Sequence, residues 1–447
     1  MHKILLTILL QLILVISLFA QEYKFPLKIS ANHRYLIDQN EKPFFYNGDT
    51  GWMLFLKLDK TEVIDYLTDR KNKQFTAIQT MLTGFEGKEN IYGQKPFSNS
   101  NDFLTINKAY FDHVEWVVQQ ADSLGLLIAI APLWAGCCGE GYGGKGAVGP
   151  KSFMDTNGPS KSRAFGEYIG KKFAKFNNII WISGGDIDPF EDRETMNELA
   201  LGIKSQAPHQ LMTYHPSSSH SSTDVWDNRT SWLDVVMTYT YFRGFDKAWN
   251  KNQPDVYEIN YKEYAKIPIK PFFLGESTYE SEHSAWGSAV QARKQAYWSV
   301  LSGGFGNAYG TPMWNFPANW RPLLELPGGN SLRHYFSLFQ SFPWYKIVPD
   351  PESKIIVEGA GEYAKNNYAI AGSDENGRFL IAYIPSGRTF KINTASLTGK
   401  KVNASWYNPR KGTSTLIGKY KNPGVYSFQT PDENDWVLVI DSKNLKK

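Results

Sequence analysis

Two carboxyl groups, distant in the chain, stand where apolar strands are predicted to end. The stretch IIWISGGDIDP, residues 179–189, is an apolar run of strand type that breaks at two glycines and then reaches Asp186 and Asp188. A second apolar run, PFFLGES, delivers Glu276. Cleavage of a glycosidic bond requires such a pair, because one protonated acid releases the leaving oxygen while one ionised group attacks the anomeric carbon or activates water. Glycosidase chemistry is therefore the first hypothesis.

The two aspartates of residues 179–189 receive different interpretations. Asp188 precedes Pro189, and Glu191 follows three residues later, a pattern that predicts a helix N-cap with proline at the first helical position and a capping-box glutamate. Asp186 has no such role, and its flanking glycines would let a substrate approach the backbone. We predict that Asp186 is the catalytic acid, and a simple turn aspartate is the alternative.

The elements that must position these acids alternate between short β-like runs and longer amphipathic runs. Helical periodicity is clearest in residues 61–73, 111–125 and 288–304, with Gly125 placed as a C-terminal cap. Eight alternations over roughly 300 residues favour a (β/α)8 TIM barrel over an open doubly wound sheet, whose first turn would carry G-x-G-x-x-G. The eight predicted strands cover residues 44–49, 75–82, 126–134, 179–186, 210–216, 234–241, 271–277 and 306–314.

The active site of such a barrel lies at the C-terminal ends of its strands. Asp186 and Glu276 end the fourth and seventh predicted strands, so we expect them to face each other across the mouth. The alternative for Glu276 is a buried salt bridge, for which Arg293 is the candidate partner. The further strand-end residues predicted to bind substrate are Asp49, Trp52, Trp134, His215, Tyr239, Tyr241 and Trp314.

Structural alternatives stay open for these binding residues. Asp49 in NGDTGW could cap the following turn, and each tryptophan is as consistent with a core position as with a sugar platform. His215 in TYHP could be a hydrogen-bonding residue rather than a proton shuttle. No serine or cysteine nucleophile with a partner base stands out, which favours carboxylate chemistry.

Metal and cofactor sites are not predicted. The sequence contains no H-E-x-x-H motif and no paired C-x-x-C motif. The only cysteines, Cys137 and Cys138, are adjacent, so a disulfide between them would be strained and two free thiols are the favoured interpretation.

The ends of the chain differ from the barrel segment, residues 21–350. Residues 1–20 have a basic start, an apolar core and a final alanine, which predicts a signal peptide and export to the periplasm or the exterior; an uncleaved membrane anchor is the alternative. From residue 351 to 447, short alternating runs separated by Gly, Pro, Asn and Asp predict a small antiparallel β-sandwich. No later apolar run is long enough to span a membrane.

Charge and composition narrow the ligand class. The net charge is +4 over 447 residues, without an internal basic cluster, so nucleic acid binding is not predicted. The chain has 25 Tyr, 27 Phe and 14 Trp, and aromatic rings beyond those of the core can pack against the apolar faces of sugars. An oligosaccharide or polysaccharide is therefore the expected partner.

The quoted segments resemble a known family. The stretches FFYNGDTGWMLFLKLDKTEVIDYLTDRKNKQFTAIQTML, IIWISGGDIDP, LMTYHP and FFLGES are similar to the apiosidase-like catalytic domain of glycoside hydrolase family 140, and the tail resembles the collagen-binding-type β-sandwich that follows it. The resemblance implies hydrolysis of plant pectic polysaccharide, at apiose-linked side chains of rhamnogalacturonan II. It also implies that Asp186 is the acid/base and Glu276 the nucleophile. Gly185 and Asp186 replace the Asn-Glu pair that the broader barrel clan carries there.

The leading hypothesis is a secreted retaining glycoside hydrolase. It predicts that the carboxyl groups of Asp186 and Glu276 lie about 5 to 5.5 Å apart. A non-catalytic glycan- or matrix-binding protein is the alternative, and it would not need the two acids close together. A metalloprotease is disfavoured because the zinc motif is absent. The sandwich is expected to support the barrel structurally, since nothing in the tail indicates a collagen groove.

Overall fold

A computed structural model describes residues 23–99, 101–136, 141–143, 152–241 and 255–442. The predicted signal peptide, residues 1–20, and the two cysteines, Cys137 and Cys138, lie outside these ranges. Among the described residues, no helix combines the length and the apolar character needed to cross a membrane.

The central element is an eight-stranded parallel sheet, as the sequence predicts. A small antiparallel sheet of β1 (Lys28–Ile29), β2 (Leu36–Ile37) and β3 (Pro43–Phe44) precedes it. The eight strands are β4 (Tyr46–Thr50), β5 (Ala77–Met81), β6 (Leu127–Ala131), β7 (Ile179–Gly184), β8 (Leu211–His215), β9 (Val236–Tyr239), β10 (Phe272–Glu276) and β11 (Gly306–Tyr309). Neighbouring strands are hydrogen-bonded in the order β8-β7-β6-β5-β4-β11-β10-β9.

The sheet closes into a barrel between β8 and β9. The backbone N–H groups of Asp234 and Val235 donate to the carbonyl of Met212 on β8. Further along the seam, the Ser222 hydroxyl donates to the carbonyl of Tyr214 and accepts from the backbone N–H of Met237, at 2.6 and 2.8 Å. A side chain thus satisfies buried backbone groups where the two strands diverge. The predicted TIM barrel is confirmed.

Helices follow most barrel strands, and local signals explain their ends. The first long helix begins where Asp59 and Glu62 form a capping box. The helix of residues 108–123 ends before Gly125, which has a φ of +64° as predicted for a glycine beyond the C-cap. The helices are α1 (Leu54–Lys57), α2 (Lys60–Asn72), α3 (Lys108–Ser123), α4 (Phe153–Phe173), α5 (Arg193–Gln206), α6 (Ser222–Val225), α7 (Val256–Tyr264), α8 (Ala289–Leu301) and α9 (Pro327–Gln340).

The prediction that Asp188 caps the next helix is wrong. A 3-10 turn, Phe190–Asp192, intervenes, and α5 begins after Asp192. The Asp188 carboxylate instead accepts from the backbone N–H of Ser217 at 2.9 Å and pairs with His220 at 2.9 Å. The cap pattern misleads because these partners, from the loop after β8, occupy the carboxylate.

The C-terminal region forms two antiparallel sheets, as expected for a β-sandwich. The strands are β12 (Ile347–Pro349), β13 (Ile356–Glu358), β14 (Ile370–Asp374), β15 (Phe379–Ile384), β16 (Thr389–Asn393), β17 (Lys401–Asn408), β18 (Thr413–Lys421), β19 (Val425–Gln429) and β20 (Trp436–Ser442). One sheet has the order β12-β14-β15-β20-β17-β18 and the other the order β13-β16-β19. An apolar core that includes Leu380, Phe390 and Leu438 lies between the two sheets.

The other face of the six-stranded sheet packs against α8 of the barrel. The rings of Tyr297 and Tyr383 stack with centroids 4.6 Å apart. Beside them, the Arg293 guanidinium donates to both oxygens of Asp435, at 2.7 and 2.8 Å, and both side chains are buried. The barrel and the sandwich therefore share a core that contains a buried bidentate ion pair.

We expect Arg293→Ala to destabilise the protein by about 3 kcal/mol, because it leaves Asp435 buried with only part of its partners. The measurement is the free energy of unfolding. The matched control is Lys391→Ala, which breaks an exposed ion pair with Glu358 and should cost less than about 1 kcal/mol. Equal effects of the two substitutions would contradict the importance of the buried pair.

Candidate active site

The C-terminal ends of the barrel strands bring Asp186 and Glu276 together. Asp186 follows β7, Glu276 ends β10, and His215 ends β8 between them. One carboxylate oxygen of Asp186, one of Glu276 and a ring nitrogen of His215 all lie within 4.8 Å of one another. The two acids that the sequence predicts to be a pair thus face each other at the mouth.

The two glycines before Asp186 allow an unusual turn. Gly184 and Gly185 have φ values of +84° and +131°, and Asp186 itself has a φ of +54°. A Cβ atom on Gly184 would lie 2.6 Å from the ring of Tyr214, and one on Gly185 would lie 2.5 Å from the ring of Trp134. The glycines therefore make room for these two rings, rather than for a substrate as the sequence suggested.

Asp186 is set up to hold a proton near neutral pH. Burial and the nearby charge of Glu276 raise the pKa of Asp186 to about 7, although His215 and a hydrogen bond from Tyr239 oppose the shift. The Tyr239 hydroxyl donates to Asp186 Oδ1 at 2.6 Å. A carboxyl group with this pKa can act as a general acid and, once its neighbour is neutralised, as a general base.

Both oxygens of Glu276 are held by hydrogen-bond donors. His215 Nε2 lies 2.7 Å from Oε2, and the Tyr279 hydroxyl donates to Oε1. Trp52 Nε1 donates to the Tyr279 hydroxyl in turn, at 2.7 Å. The alternative of a salt bridge between Glu276 and Arg293 is wrong, since Arg293 pairs with Asp435. Glu276 is oriented at the mouth.

His215 connects the two acids. Burial alone would lower the pKa of His215, but the hydrogen bond and charge of Glu276, with the charge of Asp186, raise it above its ordinary value. Nδ1 lies 3.2 Å from the Asp186 backbone nitrogen and 3.1 Å from the Pro216 carbonyl. Nε2–H donates to Glu276 in both forms of the ring: in the neutral ring Nδ1 accepts from the Asp186 backbone N–H, and a second proton, which the raised pKa favours, would let Nδ1 donate to the Pro216 carbonyl instead.

The remaining predicted binding residues divide into a deep group and a rim group. The Trp52 and Trp134 rings are buried, with centroids 4.9 Å apart, and both contact His215. Tyr241 and Trp314 are only partly buried and both donate to the carboxylate of Glu282, Trp314 Nε1 at 3.2 Å. Trp52, Trp134, Tyr239, Tyr241 and Trp314 all lie at the mouth with His215.

Asp49 does not lie in the mouth, contrary to prediction. It is buried on the helix side of β4, where Tyr66 of α2 donates to Oδ2 at 2.7 Å and Arg70 lies 3.6 Å away. Successive residues of a strand point to opposite faces, and Asp49 has the parity that faces the helices. Burial raises the pKa of Asp49, against the opposing effects of Arg70 and Tyr66.

Sequence reasoning missed Tyr279 and Glu282. Both follow Glu276 in the segment GESTYESE, residues 275–282, beyond the predicted strand end. Loops after barrel strands carry active-site residues in this fold, so the Tyr and the last Glu of this segment were available as a signal. The sequence of this loop alone could not show which of its side chains point towards the mouth.

We expect Tyr279→Phe to lower kcat by about 10- to 100-fold with little change in folding, because Glu276 loses one of its two donors. The measurement is kcat together with the melting temperature. The matched control is Tyr335→Phe, which removes a buried hydroxyl that has no hydrogen-bond partner among the described residues. A loss of activity no greater than that of the control would contradict this role for Tyr279.

A divalent cation is the other ligand that this arrangement could hold. Asp186, His215 and Glu276 each offer one donor atom. The 2.7 Å between His215 Nε2 and Glu276 Oε2 is a hydrogen-bond distance, however, and two ligands of one tetrahedral zinc ion would lie about 3.4 Å apart. As the residues stand, a proton rather than a metal joins this pair.

Comparisons with known proteins agree with this geometry. Residues 30–346 match the family described as "Apiosidase-like, catalytic domain", and residues 348–441 match the family described as "Putative collagen-binding domain of a collagenase". No match was found among curated protein sequences.

Two solved structures are similar to the chain over nearly their whole length. One is a glycoside hydrolase family 5 protein from Bacteroides vulgatus ATCC 8482, with 27% identity and a TM-score of 0.85, covering 96% of this chain and 97% of that chain. The other bears the name glycoside hydrolase, with 27% identity and a TM-score of 0.82, covering 95% of this chain and 100% of that chain.

Proposed function

The chain belongs to the apiosidase-like family of catalytic domains and is a glycoside hydrolase, and we propose that it is a secreted, retaining enzyme that acts on plant pectic polysaccharide. In this proposal Asp186 is the acid/base and Glu276 is the nucleophile. The separation of the two acids carries it: an oxygen of each lies within 4.8 Å of the other. Retaining enzymes hold their carboxyl groups about 5 to 5.5 Å apart, whereas inverting enzymes need about 6.5 to 9.5 Å to admit a water molecule.

The first step follows from the protonation states at the mouth. Protonated Asp186 gives its proton to the glycosidic oxygen as the bond from that oxygen to the anomeric carbon breaks. Glu276 attacks the anomeric carbon from the opposite face and forms a glycosyl ester. Tyr279 and His215 fix the direction of the Glu276 oxygens, and this orientation lowers the cost of reaching the transition state.

The second step reverses the role of Asp186. Ester formation removes the charge of Glu276, so one cause of the raised pKa of Asp186 disappears and its carboxylate becomes the better base. Asp186 then takes a proton from water, the water oxygen attacks the anomeric carbon, and the ester bond breaks. The product sugar leaves with its original anomeric configuration, and Glu276 is again ionised.

The proposed substrate is an apiose-linked side chain of rhamnogalacturonan II. The family description supports it, and the aromatic residues at the mouth suit a sugar ligand. The apolar N-terminal segment supports export, which would place the enzyme where extracellular polysaccharide is met.

The experiment is a screen of rhamnogalacturonan II oligosaccharides with the wild-type enzyme and Glu276→Gln, followed by product analysis. We expect the wild type alone to release oligosaccharide. With methanol as a competing acceptor, the methyl glycoside should keep the anomeric configuration of the substrate, as determined by NMR. An inverted product would contradict the retaining mechanism, and binding without release by the wild type would favour the glycan-binding alternative.

A further inference from the structure

We propose that Glu282, held by Tyr241 and Trp314, recognises hydroxyl groups of the glycone sugar and selects a neutral sugar over a uronic acid at that position. This inference rests on the proposed glycosidase function and adds a substrate class to it. The carboxylate does not belong to the proposed catalytic pair, and the ion-pair partner it has among the described residues is His283, at 3.6 Å, rather than Lys or Arg.

The contacts of Glu282 leave part of its carboxylate open. Tyr241 donates to Oε2, Trp314 Nε1 donates to Oε1 at 3.2 Å, and His283 Nε2 lies 3.6 Å from Oε2. The Glu282 side chain keeps 18% of its surface exposed. An ionised carboxylate has about four acceptor sites, so further donors can approach. Sugar hydroxyls are such donors, and the partly buried Trp314 ring lies beside them as an apolar surface.

The turn that carries Glu282 is held in place by contacts of the neighbouring buried residue. The neighbouring acid, Glu280, is buried and accepts from the backbone N–H groups of Gly328 and Gly329 at the start of α9, at 2.8 and 3.1 Å. The residues flanking Glu282, Ser281 and His283, have φ values of +68° and +52°. Such conformations persist only where surrounding contacts impose them, and they occur often at binding sites. The turn therefore presents Glu282 in a preset position.

Glu282 lies on the nucleophile side of the mouth. The ring of Tyr241, which donates to Glu282, packs edge-on against the ring of Tyr279 with centroids 5.0 Å apart. Tyr279 donates to the proposed nucleophile, Glu276. In a retaining displacement the nucleophile approaches the face of the sugar opposite to the leaving group. This wall of the mouth therefore meets the glycone rather than the leaving group.

The charge of Glu282 determines which sugars fit. A carboxylate accepts hydrogen bonds from hydroxyls but repels a second carboxylate, and like charges placed together at an interface oppose binding strongly. A neutral sugar with adjacent hydroxyl groups satisfies Glu282, whereas a galacturonate or glucuronate brings a like charge to it. In a pectic polymer, which contains both kinds of sugar, this contact would choose the neutral glycone.

The test compares wild type, Glu282→Gln and the matched control Glu362→Gln, which alters an exposed acid of the C-terminal region. Binding of two chemically matched pairs, galactose with galacturonate and glucose with glucuronate, is measured by saturation-transfer NMR and does not depend on turnover. We expect the wild type to prefer the neutral member by about tenfold or more, and Glu282→Gln to abolish most of that preference. On rhamnogalacturonan II, Glu282→Gln should raise KM by about tenfold with kcat changed less than about threefold.

The outcomes separate the two proposals. An unchanged neutral-to-acidic preference in Glu282→Gln, or no binding of any of the four sugars to the wild type, would overturn the role of Glu282. A loss of kcat and melting temperature without a change in preference would show a purely structural residue. Absence of release from rhamnogalacturonan II, with the binding preference intact and dependent on Glu282, would overturn the proposed substrate and leave this inference standing.

Discussion

Replacing Glu276 by Gln should lower kcat by about 10⁴-fold or more, the largest effect expected for a single substitution in this protein. The amide cannot form the glycosyl ester, so the double-displacement route closes while the shape of the mouth is kept. His215 and Tyr279 still have an oxygen or an amide group within reach, so folding should be preserved. The measurement is the initial rate of oligosaccharide release together with the circular dichroism spectrum.

The same substitution should leave a trace on Asp186. Because the charge of Glu276 is one cause of the raised pKa of Asp186, Glu276→Gln should lower the Asp186 pKa, which carboxyl-selective NMR can follow. The matched control is Glu89→Gln, which changes an exposed acid whose ion-pair partner, Lys95, lies 3.8 Å away. This substitution should leave the rate unchanged. A loss of less than about tenfold in Glu276→Gln would remove Glu276 from the role of nucleophile.

The positions of the two acids could be predicted because strand order and strand ends determine them. In a closed parallel barrel, every strand delivers its last residues to one mouth, so an acid at the end of an apolar strand has few other destinations. That reasoning located Asp186, Glu276, His215 and Tyr239 together from sequence alone. Short apolar runs likewise predicted all eight barrel strands, because parallel strands that are buried on both faces are nearly continuous in apolar residues.

The failures share a physical cause, which is that side-chain direction depends on contacts distant in the chain. The side chain of Asp49 points to the helix side of β4, whereas those of the adjacent strand positions point into the barrel. Only the folded barrel shows that Tyr66 and Arg70 lie on the helix side and contact Asp49. Asp188 has a full capping signature, yet Ser217 and His220 bind its carboxylate.

Local sequence patterns predict the shape of loops poorly for the same reason. The segment that contains Tyr279 and Glu282 has no periodic pattern, and its shape depends on Glu280 bound at the start of α9, far along the chain. Residues positioned by such long-range contacts become visible only in the folded structure. The sequence therefore predicts the positions of the proposed catalytic pair better than those of the residues that contact the pair.

Replacing Asp186 by Asn should lower kcat by about 10²- to 10⁴-fold on natural glycosides, because the leaving oxygen loses its proton donor. In the wild type, kcat/KM should fall as pH rises above about 7, since Asp186 must be protonated in the free enzyme and its pKa is about 7. The variant should lack this decline. It should also lose less activity on aryl glycosides whose leaving groups need no proton.

The control for this prediction is Asp188→Asn. Asp188 pairs with His220 outside the proposed catalytic pair, so its loss should change the pH profile little. An equal loss of turnover in Asp188→Asn, with normal folding, would transfer the acid role from Asp186 to Asp188.

The direction in which Asp186→Asn changes the stability of the protein at high pH should distinguish a catalytic Asp186 from a structural one. The pKa of Asp186 is raised above the ordinary value of 3.8 on folding, so the folded state binds this proton more tightly than the unfolded state does. Folding is then penalised progressively as pH rises through the interval from about 4 to about 7, and the penalty is complete above that interval. The Asp186→Asn variant carries no charge at this position, so its stability does not fall over this pH interval for this reason.

The melting temperature of Asp186→Asn should therefore match that of the wild type near pH 4 and exceed it at pH 8. A turn aspartate that stabilises the fold as a carboxylate would give the opposite result, with the variant less stable at pH 8. If Asp186→Asn is more stable at pH 8 and nearly inactive, then Asp186 destabilises the folded protein and is needed for activity. This is expected of an acid that is buried so that it keeps its proton for catalysis.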